Sequence, residues 1–513
     1  MPNARRHSSA CLRDRWWSSE RRSRSSRRVA RTRQQQCAQR RYADTGCDKI
    51  PGQRARGRPS AGGVGFSKTA SSRGSVGEKS STPNLEQGEL RFGWFWRDQI
   101  LGWCSTMNSG ANATLSNLRA VVILIVVAFH SALPYLASQP LHPFAFDSPP
   151  YRWIAFPIID RERWFGLDLF CAWQDVSLMS LMFLLAGLFA PRGLIRKGAA
   201  AYLASRWWRI GLPFVLAVAF LSPVAYYASY LTTATDPSPA AFWQHWRALP
   251  MWPSGPQWFL WQLLLLSALA AALHEFAPSW PRAASLIVAR CDDRPLLFFA
   301  GLTSLSALAY VPLAMIFTPW EWTFFGPLSF QLSRPLHYLL YFSAGFAIGG
   351  YGCDRSVFRT DGPLARRWPA WVAAAFACFA VWGVLTSLTM PDWNASPPAD
   401  RLAAAFAFPV ACATGVIAFV ASSLALLRRR SALVDSLSVN AYGIYLTHYP
   451  FVLWLQYALL DTSLNAVAKA TFVLVAALAL SWAASGFLTA SVRLLVHRHS
   501  GLPSKSAISD QPR

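Results

Sequence analysis

The chain has 513 residues, of which 53% are hydrophobic and only 14% charged, with 24 tryptophans and a net charge of +24. Soluble domains carry about 25% charged residues, so a water-covered globular surface is excluded over most of the length and a polytopic membrane bundle is expected. The charge does not argue for a specific nucleic-acid partner, because it is concentrated where no fold is expected: residues 1–106 hold 22 Lys and Arg against 8 Asp and Glu.

That first segment, with runs such as Arg21-Arg22-Ser23-Arg24-Ser25-Ser26-Arg27-Arg28, has too little apolar surface to fold. It is not a secretory signal, since no apolar stretch follows its arginines before residue 118. Three readings stand: a disordered cytoplasmic tail touching anionic lipid or nucleic acid, a basic targeting extension, or an over-long start. The last is favoured because Met107 stands nine residues before the first predicted helix.

From residue 116 apolar stretches long enough to cross a bilayer alternate with short polar turns. Ten are predicted: 116–136, 167–190, 208–231, 257–277, 295–317, 335–352, 369–389, 402–426, 438–460 and 466–491. No soluble insertion and no internal repeat interrupts them. The fold class is therefore an all-α polytopic transmembrane bundle, organised as a tail (1–106), a membrane domain (116–495) and a short cytoplasmic tail (496–513). The nine cysteines show no paired spacing, so neither a disulfide framework nor a metal site is expected.

Orientation follows from the basic residues, because cytoplasmic loops collect them. Turns after even-numbered spans carry fifteen, namely Arg192, Arg196, Lys197, Arg206, Arg209, Arg282, Arg290, Arg294, Arg355, Arg359, Arg366, Arg367 and Arg428 to Arg430. Turns after odd-numbered spans carry six: Arg152, Arg161, Arg163, Arg247, Arg334 and Arg401. Both termini are expected in the cytoplasm.

Within this frame Arg119 and His130 stand out, since ionisable groups inside an apolar run are costly and mark functional sites. Eleven helical steps return to within roughly 20° of the start while rising about 16 Å, so the two share one face, Arg119 near the cytoplasmic edge and His130 near mid-membrane. His448 on the ninth span and Asp175 on the second are expected at a similar depth. Two histidines and a carboxylate at one level suggest an acid/base site in which the carboxylate orients an imidazole or holds its proton. The alternatives are an interhelical hydrogen bond for His448 and a structural acceptor for Asp175. Asp168 reads as interfacial, His274 and Glu275 as solvated, and the Gly345-to-Gly349 spacing as close helix packing. Arg206 and Arg209, at i and i+3, read either as ordinary positive-inside cations or as guanidinium ligands for phosphate.

Five motifs in series, Arg119-x10-His130, Met182-Phe183-Leu184-Leu185-Ala186-Gly187-Leu188-Phe189, Arg206-Trp-Trp-Arg209 before Pro213, Gly255-Pro256-Gln257-Trp258-Phe259-Leu260 and Ala441-Tyr442-Gly443-Ile444-Tyr445-Leu446-Thr447-His448-Tyr449-Pro450, resemble the membrane acyltransferase 3 family over about residues 116–495. Phe330-Gln331-Leu332-Ser333-Arg334-Pro335 with Tyr341-Phe342-Ser343-Ala344-Gly345 resembles its branch near glucan-modifying succinyltransferases. The resemblance implies a multi-pass protein of a bacterial inner membrane that moves an acetyl or succinyl group from cytoplasmic acyl-CoA, a donor substrate and not a bound cofactor, to a hydroxyl of a glycan, a lipid-linked sugar or another exported acceptor. It places the essential Arg and His at Arg119 and His130 and donor contacts at Arg206 and Arg209. His130 would act as general base or carry the acyl group covalently, the general base being preferred. The chain departs from the family pattern in having Met182-Phe183 and Ala186 where a Phe-Phe and a Ser are usual, and it lacks the esterase-like domain of some members. A transporter would show inverted repeats with broken helices, which are not found; a scaffold would have no reason to bury Arg119, His130, Asp175 and His448 at related depths.

Overall fold

A computed structural model describes residues 110–428 and 431–500, with side chains described between 114 and 491 except at 282, 429 and 430. The expectations for the 1–106 tail, for Met107, for residues 501–513 and for the side chains of Arg282, Arg429 and Arg430 lie outside the described residues.

The apolar runs fold into α1 (Gly110–Ala132) and α2 (Phe165–Lys197), followed by a composite helix. This is α3 (Ala199–Arg206), a π turn (Trp207–Gly211), α4 (Leu212–Leu216), a second π turn (Ala217–Leu221) and α5 (Ser222–Leu231). Then come α6 (Pro239–Ala248), α7 (Trp258–Phe276), α8 (Trp280–Ala289) and α9 (Pro295–Phe317). A hairpin of β1 (Trp322–Phe325) and β2 (Leu328–Gln331), in register Trp322 to Gln331, precedes α10 (Pro335–Tyr351). The chain continues through α11 (Pro363–Arg366), α12 (Trp368–Thr389), α13 (Pro398–Leu426), α14 (Ala432–Ala458) and α15 (Ala466–Ser500).

Among the described residues eight helices are long and apolar enough to cross a membrane. Of the ten expected spans, α10 falls short with its 17 residues, and α14 carries Asp435, Asn440, His448 and Gln456 within an otherwise apolar sequence. Both are packed inside the bundle, α10 along α2 and α14 between α1 and α15. Predicted starts at 208, 402 and 438 are too late. The helices begin at 199, 398 and 432, because apolarity marks the middle of a span while helix-forming alanines extend its ends. The break expected to occupy most of residues 191–207 shrinks to Gly198, whose φ of +75° takes a conformation that suits glycine.

The core lies where α1, α2 and α13 meet, while α12 and α15 form the rim with most of their apolar surface outward. α2 and α10 cross with backbones in contact. A Cβ at Gly187 would fall on the carbonyl oxygen of Phe342, one at Gly345 on that of Leu184 and one at Gly349 on that of Leu188. Small residues allow this approach, and dispersion over the contact replaces the hydrophobic drive that is absent between helices in lipid.

One end of the bundle carries the long connections 136–164, 232–257 and 318–334. The opposite end carries Arg192, Arg196, Lys197, Arg290, Arg294, Arg355, Arg359, Arg366 and Arg367. These are called here the loop end and the basic end. The crossing yields a prediction. Gly187→Ala or Gly345→Ala lowers stability by about 1–3 kcal/mol through overpacking, read as the thermal midpoint in nanodiscs. Gly383→Ala on α12, where a Cβ meets open space, leaves that midpoint unchanged or raises it.

Candidate active site

Two prolines set up the site. Pro134 follows His130 by four residues and Pro450 follows Leu446 by four, so each removes the N–H that a regular helix would direct to those two carbonyls. Two buried glutamine amides take their place. Gln456 Nε2 donates to His130 O at 2.7 Å, and Gln257 Nε2 donates to Leu446 O at 3.1 Å. Tyr445 adds a hydrogen bond from its hydroxyl to Pro256 O. The turn before α7 is thereby tied to α14, and α14 to α1. Gly255 is held at φ +54° against the ring of Tyr449, where a Cβ would come within 3.0 Å. A third such carbonyl occurs in the second π turn, where Pro223 stands five residues after Val218 and Trp252 Nε1 donates to Val218 O at 2.8 Å.

The histidines meet inside this frame. His448 is fully buried, His130 half-buried, and His448 Nε2 lies 3.3 Å from His130 Nδ1. Their backbone contacts define the tautomers. His448 Nδ1 is 2.7 Å from Tyr445 O and His130 Nδ1 is 2.8 Å from Val126 O; a carbonyl only accepts, so both Nδ1 atoms carry hydrogen. His448 Nε2 is then a lone pair facing the Nδ1–H of His130, and His130 Nε2 is left as the basic atom of the pair. A proton gained at His130 Nε2 would give an imidazolium whose Nδ1–H already points at two acceptors. Tyr449 packs edge-on to His130, its hydroxyl bonded to Tyr226, whose own hydroxyl donates to Ile154 O at 2.8 Å.

Asp175 does not join the histidines. Its carboxylate is held bidentately by Arg334, Nη1 to Oδ1 at 3.0 Å and Nη2 to Oδ2 at 2.6 Å. The expectation that it orients an imidazole is corrected on this ground: equal depth on adjacent helices is not contact, and a fixed guanidinium fork outcompetes a ring nitrogen for both oxygens. Arg334, counted from sequence among the loop cations, is buried at the start of α10, with its guanidinium over Phe408. The histidine depth is also corrected. His130 lies two residues from the end of α1, and Leu446, two residues before His448, is bonded by Gln257 at the turn before α7, so the pair sits toward the loop end and not at mid-bundle.

Arg119 lies half-buried on α1 toward the basic end, eleven residues from His130 on the same helix. Arg206 ends α3 with its guanidinium 5.0 Å from the Tyr202 ring, and Arg209 lies in the π turn that follows. The α-helical i, i+3 geometry expected for that pair therefore does not hold; both are half-buried at the basic end. π turns inside α-helices recur at functional sites.

Two further polar centres went unseen in the sequence. His337 is fully buried, with Ser306 Oγ at 2.8 Å from Nδ1 and Ser180 Oγ at 3.0 Å from Nε2. Asp160 and Lys469, both buried, pair at 2.9 Å and fasten the 136–164 connection to the first turn of α15. Asp168 secures the other end of that connection, accepting from the N–H groups of Ala137 and Ser138. No spacing in the sequence marks these centres, whereas the proline-minus-four spacing marks His130 and Leu446 as carbonyls in need of donors, the bonds that Gln456 and Gln257 supply.

The family model described as an acyltransferase domain, that of the acyltransferase 3 family, matches residues 112–486. No curated protein and no solved structure matches the chain.

The buried pair that holds the 136–164 connection is testable. Lys469→Met strands the Asp160 carboxylate and costs about 3–5 kcal/mol, whereas the double variant Asp160→Asn/Lys469→Met recovers most of that loss. Thermal midpoints, and the rate at which protease nicks residues 136–164 in intact membranes, measure both.

Proposed function

The chain belongs to the acyltransferase 3 family, and from that premise we propose that it transfers an acetyl or succinyl group from acyl-CoA, bound at the basic end, to a hydroxyl of a glycan or lipid-linked sugar that reaches His130 from the loop end. It is a multi-pass membrane acyltransferase. The reading of its donor, acceptor and site residues is supported above all by the His130–His448 contact, which leaves His130 Nε2 as a lone pair on the face of α1 that also carries Arg119.

In this proposal the coenzyme phosphates lie against Arg119, Arg206 and Arg209, where forked guanidinium groups suit phosphate oxygens. The pantetheine arm runs along the α1 face, rising about 16 Å from Arg119 to His130. His130 Nε2 takes the acceptor hydroxyl's proton as the oxygen attacks the thioester carbonyl. The tetrahedral intermediate collapses with loss of the C–S bond, and the same proton passes from Nε2 to the departing thiolate. His448 holds the imidazolium by accepting from Nδ1–H, much as a carboxylate does in a hydrolase triad. The proposed orientation has both termini in the cytoplasm and the protein in a bacterial inner membrane, as supported by the segregation of basic side chains.

Purified protein in nanodiscs, given radiolabelled acetyl-CoA or succinyl-CoA and envelope glycan from the producing cells, tests the roles. His130→Ala is expected to lose about 10²–10⁴-fold in transfer while inserting normally. His448→Ala removes one charge-assisted bond, about 1.5–3 kcal/mol or roughly 10–100-fold in kcat. Arg119→Lys raises the half-saturating donor concentration because the fork geometry is lost. Undiminished transfer by His130→Ala would sink the assignment.

A further inference from the structure

Asp175 is an unusual half of an ion pair. Its partner Arg334 has a side chain only 6% exposed, with Nε buried and unpartnered, whereas the Asp175 side chain is 44% exposed. α2 is packed by α1, α7, α10 and α13, and a carboxylate does not face lipid tails without a large penalty. The accessible side of Asp175 is therefore read as opening between helices and not onto lipid tails. Ala172, Met179, Met182 and Ala186, which share its face of α2 at helical spacing, are likewise partly exposed.

That face of α2 adjoins the end of the helix that carries His130. Cys171, one turn before Asp175, packs with Ala132 at the end of α1 and with Leu133 just after it, and Phe129 packs against the same cluster. α1 and α2 run antiparallel, so Asp175 is level with His130 to within about one helical turn. Tyr338, which contacts Arg334 Nη1 through its hydroxyl, stacks on the half-buried indole of Trp258. The result is an apolar wall beside one fixed acceptor group, the composition of a small-molecule subsite.

The charge state selects the ligand. Because Arg334 already neutralises Asp175 through two short hydrogen bonds, an incoming cation gains little and an anion meets a carboxylate. Neutral hydroxyl donors can use the lone pairs that Arg334 leaves on each oxygen. We propose that Asp175, oriented by Arg334, binds hydroxyl groups of the acceptor and so presents an adjacent hydroxyl to His130. This inference rests on the acyltransfer reading above and adds a residue that decides which acceptors are used.

The assay is the nanodisc transfer reaction with labelled acetyl-CoA and the neutral glycan fraction of the producing cells. Asp175→Asn alone strands a buried guanidinium, so Asp175→Glu, which keeps the pair and shifts the oxygens, and the double variant Asp175→Asn/Arg334→Gln are used, each checked for monodispersity. Both are expected to raise the half-saturating glycan concentration by about tenfold or more, as for loss of a hydrogen bond to a charged group, with the half-saturating acetyl-CoA concentration unchanged. Wild-type glycan saturation in both variants, or an equal shift for donor and glycan, overturns the inference and leaves the acyltransfer reading intact. Failure of the wild-type protein to label glycan while still releasing acetate from acetyl-CoA overturns the glycan acceptor and this inference with it; failure to consume acetyl-CoA at all overturns the donor assignment.

Discussion

A backbone carbonyl that loses its helical partner to a proline cannot turn to water inside an apolar bundle, and the architecture around the histidines follows from that constraint. Pro134 and Pro450 each free a carbonyl, at His130 and Leu446, and the side-chain amides of Gln456 and Gln257 are spent on them. An unsatisfied carbonyl costs several kcal/mol in hydrocarbon, so these contacts bind α1, α14 and the turn before α7 into one unit. The histidine rings are carried by the helices so joined. Their 3.3 Å approach is a consequence of how two irregular helices repair their backbones against each other.

The same demand explains the other polar centres. Asp175 and Arg334, Asp160 and Lys469, and His337 with Ser180 and Ser306 each join elements distant in sequence. Each is stabilising only as a complete set, because half of a removed ion pair leaves an uncompensated charge and a lost serine hydroxyl leaves a buried ring nitrogen unsatisfied. They differ in what they leave open. Lys469 and Asp160 are both enclosed and act as a fastening for the 136–164 connection. Asp175 keeps one side accessible, and His130 keeps its Nε2. The enclosed centres define the scaffold, and the accessible groups mark where a substrate can be engaged.

Much of the helical layout was legible because apolarity is summed over many residues and survives local error. The segment 295–317 is found as predicted, and the positions of α2, α7, α12 and α15 follow their apolar runs. The shared face of Arg119 and His130 was legible for the same reason, since helical period needs no knowledge of neighbours. Arg334 was misplaced because loop statistics count a charge without seeing its partner. Asp175 was assigned to the histidines because depth along a helix says nothing about rotation toward one neighbour or another. The π turns at Trp207–Gly211 and Ala217–Leu221 were invisible, as an added residue per turn leaves no mark in a run of uniform apolarity.

By itself the sequence determined a helical membrane-type bundle, the alternation of more and less basic connections, and the placing of an arginine and a histidine on one helix face, because each depends on composition or period within a single segment. Only the tertiary structure decided that His448, and not Asp175, meets His130, that Arg334 belongs to Asp175, and that the histidines sit toward the loop end. Those outcomes depend on helix rotation and on which donor reaches each freed carbonyl, and both are settled between segments more than a hundred residues apart.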